Sequence, residues 1–112
     1  MKIETYEFIR DLEKLISNLV KSDLHKLSNE DSFLHVVSEH FSIKAYYDVE
    51  YSDFELRVFV RGDLSSGKPK MLSVRLNCSD ENIYFENWLN ESYTNKLAEI
   101  PLVCKFIGKY AN

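Results

Sequence analysis

Glycine and proline are scarce: three and two respectively in 112 residues. That leaves little material for linkers or low-complexity tails, and no internal repeat is present. No apolar run approaches the ~18 residues needed to span a bilayer. The first residues, MKIETYEFIRDLEKL, carry acids at Glu4, Glu7, Asp11 and Glu13 and lack the unbroken apolar core of a secretory signal. Cysteine is limited to Cys78 and Cys104, each among apolar neighbours and neither in a CxxC pattern. These read as reduced, buried, small hydrophobes of a cytoplasmic protein, not as a disulfide framework.

What is present fits one globular domain. The composition, 45% apolar and 29% charged, is close to the globular average, and a chain of this length buries enough surface to need no staple. The net charge of −4 argues against direct nucleic-acid binding. Its distribution is segregated. Asp48, Glu50, Asp53 and Glu55 form one acidic block; Asp80, Glu81, Glu86, Glu91 and Glu99 form a second, opposed only by Lys96. Between them Arg57, Arg61, Lys68, Lys70 and Arg75 stand against Asp63 alone.

Residues 3 to 21 repeat apolar side chains at helical spacing, Phe8, Ile9, Leu12, Leu15, Ile16, Leu19 and Val20, and predict an amphipathic helix. Residues 22 to 28 read as a polar connection with Leu24 and Leu27 tucked inward. SNED at 28 to 31 resembles a capped helix start, and Phe33, Leu34, Val37 and Phe41 extend it to about residue 41, with a strand through LHVV as the competitor.

From Ile43 the period becomes two. Ile43, Ala45, Tyr47, Val49 and Tyr51 share one face, and Phe54, Leu56, Val58 and Val60 continue it beyond Ser52-Asp53. A tight hairpin there sets Tyr51 against Phe54, Val49 against Leu56 and Tyr47 against Val58, so every apolar residue falls on one side. Ser-Asp is not a favoured two-residue turn, which leaves room for a longer loop. On the other face this register places Tyr46 by Phe59, Asp48 by Arg57 and Glu50 by Glu55, the last a repulsive pair. GDLSSGKP at 62 to 69 is a loop, followed by a third strand with Leu72, Val74, Leu76 and Cys78 inward. Ser79-Asp80-Glu81 reads as a second capped start leading a helix into NIYFENWLNES, with a strand as the alternative. Pro101 suits the first turn of a terminal helix with Leu102, Val103, Phe106, Ile107 and Tyr110 as its stripe. The expected fold is α+β: an antiparallel sheet of three strands or more packed against N-terminal helices, with a mixed or helical C-terminal segment.

Catalytic chemistry finds no foothold in the sequence. There is no GxSxG elbow and no glycine-rich phosphate loop running into a helix. His35, Glu39 and His40 come close together in sequence but lack the further ligands a zinc site needs. No catalytic residue, metal or cofactor is therefore assigned, and a non-enzymatic role is expected. What stands out is two aromatic rings, Tyr46 and Phe59, on the outward face of the sheet beside the acidic block. An aromatic patch bordered by acids has the make-up of a protein interface. The candidate partner-binding residues are Tyr46, Asp48, Glu50, Asp53, Glu55, Phe59, Glu86 and Trp88.

In size and composition, with acidic-aromatic stretches such as YYDVEYSDFE and DENIYFENWLNE, the whole chain resembles bacterial immunity proteins of contact-dependent inhibition and related polymorphic toxin systems. The resemblance implies a cytoplasmic inhibitor that plugs the basic active site of a cognate toxin domain, in most cases a nuclease, with carboxylates standing in for substrate phosphates and Tyr46, Tyr51 or Trp88 as anchors. It implies no membrane partner. Homodimerisation stays open, and the alternatives are a small acidic secretion chaperone or a small homodimeric ligand-binding domain.

Overall fold

A computed structural model describes residues 2–22, 24–30, 33–63 and 70–111, with side chains omitted from the description for 25–30 and 33. Helix α1 (Ile3–Lys21) comes first. Six strands follow: β1 (His25–Glu30), β2 (Phe33–Val37), β3 (Phe41–Asp48), β4 (Asp53–Val60), β5 (Met71–Asn77) and β6 (Asn82–Asn87). The chain ends in α2 (Glu91–Lys96), a 3-10 turn at Leu97–Glu99 and α3 (Pro101–Tyr110). The strands form one antiparallel sheet in the order 1-2-3-4-5-6, a continuous meander. The fold is α+β, as the periodicities imply. No helix among the described residues is long and apolar enough to cross a membrane.

The core lies between one face of the sheet and the helices. Phe8, Leu12, Leu15 and Leu19 of α1 meet Leu56, Val58, Leu72, Val74 and Leu76 of the central strands, and Val103 and Phe106 of α3 close the layer. Phe8 stands edge-on to Phe106 and Tyr110, with ring centroids 5.4 and 5.0 Å away. Pro101 opens α3, where its missing N–H costs nothing. The N-terminus of α1 has no side-chain cap of its own. Instead Glu81 accepts from the Lys2 amide at 3.0 Å and the Thr5 hydroxyl at 3.4 Å, an acid set against the positive helix end.

Four expectations need correction. The second helix expected over residues 28 to 41 is the β1–β2 hairpin. Leu34 and Val36 are buried at a period of two, and the chain reverses at Glu39-His40 where the Ser38 amide donates to the Phe41 carbonyl. Phe41 belongs to the next strand, so the apparent helical stripe joined residues of two elements. Leu24 packs on the core as expected; the Leu27 side chain and loop residues 64–69 lie outside what the structure describes.

The second correction concerns register. The β3–β4 turn spans four residues, 49–52, with Asp48 paired to Asp53. Tyr47 therefore faces Phe54, ring centroids 4.6 Å apart, and Ala45 faces Leu56. The shift is even, so the strand residues keep their faces, but Val49 and Tyr51 leave the core and stand 77% and 64% exposed. Glu50 moves into the turn, and Glu55 is opposed by Tyr46 instead. The expected pairs Tyr46–Phe59 and Asp48–Arg57 are likewise replaced: Phe59 faces Ser42 and Arg57 faces Lys44.

Third, the segment from residue 80 is not a helix but β6, which pairs along the free edge of β5. Ile83 and Phe85 alternate onto the helical side and pack on the core, while the backbone gains ladder partners. Fourth, neither cysteine is fully buried. Cys78 is half-buried in the turn after β5, Cys104 is exposed on α3, and both are free thiols.

Candidate functional site

The outward face of the sheet follows from the meander register. One row of side chains runs Tyr46, Glu55, Arg75, Tyr84 across β3 to β6; the next runs Lys44, Arg57, Ser73, Glu86. Helices α1 and α3 place their buried residues on the opposite, inward face, and the half-buried Tyr93 of α2 packs on Phe41 there. The C-terminal segment thus extends the sheet sideways and thickens the helical layer, and no described element lies across the outer face.

Two acids on this face, Asp53 and Glu55, are not presented to solvent. Glu55 is 3% exposed, and its carboxylate accepts from Arg57, from the Ser73 hydroxyl at 3.3 Å and from the Tyr46 hydroxyl at 3.4 Å. Asp53, 6% exposed, accepts from Arg75 at 3.2 Å and from the Asn77 amide at 2.7 Å. The guanidiniums in turn cover rings: Arg57 lies 5.6 Å from the Tyr46 centroid and Arg75 4.5 Å from that of Tyr84. Lys44 sits 5.5 Å from the Phe59 ring. Burial, reinforced by the Glu55 charge, pushes the Tyr46 phenol up to about 12. This sheet therefore carries its charged network as a pinned lattice, with cations and rings outermost.

Four further acids, exposed or half-exposed, gather at one end of the sheet. In an up-and-down meander, alternate turns fall at the same end. The β3–β4 turn, with Asp48 and Glu50, thereby meets the β5–β6 turn, with Asp80 and Glu81. The two are joined directly. The Cys78 amide donates to the Ser52 carbonyl at 2.9 Å, and the Asn77 side-chain amide donates to the Tyr51 carbonyl at 3.3 Å. Asp48 shapes its own turn by accepting from the Glu50 and Tyr51 amides at 3.0 and 3.3 Å. The Tyr84 hydroxyl donates to Asp80 and holds that carboxyl below the usual carboxylate range. Val49 and Tyr51 project among these acids.

The structure thus divides the residues expected to form one patch. Tyr46, Asp53, Glu55, Phe59 and Glu86 belong to the outer face, where Asp53 and Glu55 are internally consumed. Asp48 and Glu50 belong to the acidic end. Trp88 follows β6 at the opposite end, its indole donating to Glu86 at 3.3 Å. Val49 and Tyr51, read from the sequence as core, are the apolar groups that the acidic end displays. The signal for them was local: an Asp able to close its own turn, ahead of a Ser-Asp pair ill-suited to a two-residue loop.

Glu39, His40 and Glu99 place potential ligand atoms within 4.8 Å of one another. Glu99 is already engaged: it accepts from the Ser38 hydroxyl at 2.8 Å and the His40 amide at 3.1 Å, and it pairs with His40 Nδ1 at 2.8 Å. This arrangement is a clasp between the β2–β3 turn and the C-terminal helices. Comparison with protein-family models, curated proteins and solved structures finds no match to this chain.

Proposed function

We propose that the chain is a non-enzymatic protein-binding module of the immunity type, which acts in the cytoplasm by docking its acidic end on the basic active-site surface of a bacterial toxin domain and occluding it. The observation that carries this reading is the joining of two acidic turns, distant in sequence, around exposed Val49 and Tyr51. Asp48, Glu50, Asp80 and Glu81 supply a focused negative field that accelerates encounter with a basic surface. Tyr51 supplies the rigid amphipathic anchor typical of binding hot spots. Asp53 and Glu55 act behind this surface by bracing strands β4 and β5, not by contact.

A secretion chaperone would hold its client in an exposed apolar groove. The outer face instead interleaves Lys44, Arg57 and Arg75 with its rings, which favours the occlusion reading.

The test is association kinetics with a candidate toxin domain taken from the reading frame next to this chain's own, together with protection of cells expressing it. Glu50→Lys combined with Asp80→Lys should slow association at low salt by about tenfold or more, with the difference shrinking as salt rises. Association and protection equal to those of the unaltered chain would sink the proposal.

A further inference from the structure

The seam between α1 and α3 holds a feature unrelated to the acidic end. Near one part of it, Asp11 of α1 accepts from Lys109 at 2.7 Å and from the Tyr110 hydroxyl at 2.5 Å of α3, so these charges cancel locally. Asp11 and Lys109 of this tie themselves line one side of a cleft of about 320 Å³. Its apolar floor is Leu15 and Phe106, both core residues, continued by Leu102, which is 37% exposed. Lys14 from α1 and Lys105 from α3 also line it, with Asn18 as a further polar group. Neither lysine makes a hydrogen bond or ion pair among the described residues. In a chain of net charge −4, two uncompensated ammonium groups bordering an apolar floor form a locally positive, amphipathic site.

We infer that this cleft binds a small amphipathic anion, a medium-chain aliphatic carboxylate. The chain lies on Leu15, Leu102 and Phe106, where burial of methylenes drives binding. The carboxylate takes charge-assisted hydrogen bonds from Lys14 and Lys105. The volume is at the small end of the range for small-molecule sites, which suits one short chain with one head group. Lys109 is spent on Asp11, so the head group is selected by the other two lysines. The site shares no residue with the acidic end, and its failure leaves the proposed function untouched.

The experiment is a titration of the full chain with octanoate below its micelle concentration, followed by amide and side-chain NMR and by calorimetry. Saturable shifts should centre on Leu15, Leu102 and Phe106. Octanol, with the same chain and no charge, should bind at least about tenfold more weakly. Each methylene added between hexanoate and octanoate should tighten binding by roughly two- to fourfold. Lys14→Glu with Lys105→Glu, both at exposed positions, should weaken octanoate binding about tenfold or more with the thermal midpoint retained. Equal binding of octanol and octanoate, an unaffected double variant, or shifts that never saturate would each overturn the assignment.

Discussion

The backbone amide of Cys78 donates to the carbonyl of Ser52 at 2.9 Å, joining two turns that lie 26 positions apart in the chain. This bond converts a sequence pattern into a surface. Acids that the sequence distributes over two blocks separate by role once the meander is formed. Asp53 and Glu55 of β4 are drawn under Arg75 and Arg57, while Glu50 and Asp80 stand exposed at the end that carries Val49 and Tyr51.

Ser52 is where this surface is shaped. Its φ of 54° lies in the left-handed region, which costs a non-glycine residue roughly 1–2 kcal/mol. Ser52→Gly should leave stability unchanged or raise it by up to about 1 kcal/mol. Ser52→Val, β-branched at the same φ, should lower it by about 1–2 kcal/mol. Urea unfolding of the three proteins checks both directions, and a valine variant as stable as the parent would refute the turn geometry.

Glu55 illustrates a stabilising acid that sequence reasoning assigned to an interface. Its carboxylate is buried and holds Arg57, Ser73 and Tyr46. Glu55→Ala strands those donors and should cost about 2–4 kcal/mol in denaturant unfolding. Once corrected for the folded fraction, partner affinity should be unchanged if the acidic end is the docking surface, since the Glu55 carboxylate is held inside the protein. A variant that keeps full stability but loses binding would reverse this assignment.

The legible parts of the fold were those set by a single period within one element. α1, the faces of β3 to β5 and the Pro101 helix all emerge from apolar spacing. The β1–β2 hairpin did not, because Phe33, Leu34, Val37 and Phe41 match a helical stripe while belonging to separate strands. The expected grouping of the candidate residues into one patch changed for a related reason. Alternation fixes which face a residue takes, but turn length fixes which partner it meets, and four residues of turn moved Val49 and Tyr51 from core to surface. The Glu55–Arg57 pair is local, two residues apart on one face of β4, whereas the bond from Ser73 depends on the β4–β5 register, which no local pattern encodes.

Glu99 sets an acid-side dependence. Burial pushes its carboxyl up, but the bonds from His40 and Ser38 outweigh that, and the net shift is downward from 4.5. A carboxylate whose folded pKa is depressed stabilises the fold above its unfolded value and loses that contribution as pH falls through the folded one. The clasp between the β2–β3 turn and the C-terminal helices should therefore weaken below about pH 4.5. Glu99→Gln should be less stable at neutral pH and show a shallower decline on acidification. Thermal midpoints of both proteins across the acid range decide it; parallel declines would exclude Glu99 as the source.

Tyr51 and Trp88 sit at opposite ends of the sheet and so distinguish the two ends as docking surfaces. Tyr51 lies in the turn tied to the start of the β5–β6 connection, whereas Trp88 follows the last residue of six-residue β6. At roughly 3.3 Å per residue, the ends of that strand are about 20 Å apart. Both aromatics are exposed, at 64% and 46%, so truncating either leaves the core intact. If the acidic end docks, Tyr51→Ala should cost about 2 kcal/mol or more in partner affinity, as loss of a central aromatic anchor does. Trp88→Ala should then stay within about 0.5 kcal/mol of the parent, as surface substitutions outside an interface do. Calorimetric titration of both variants with the toxin domain reads the two values side by side, and the opposite ranking would move the docking surface to the Trp88 end.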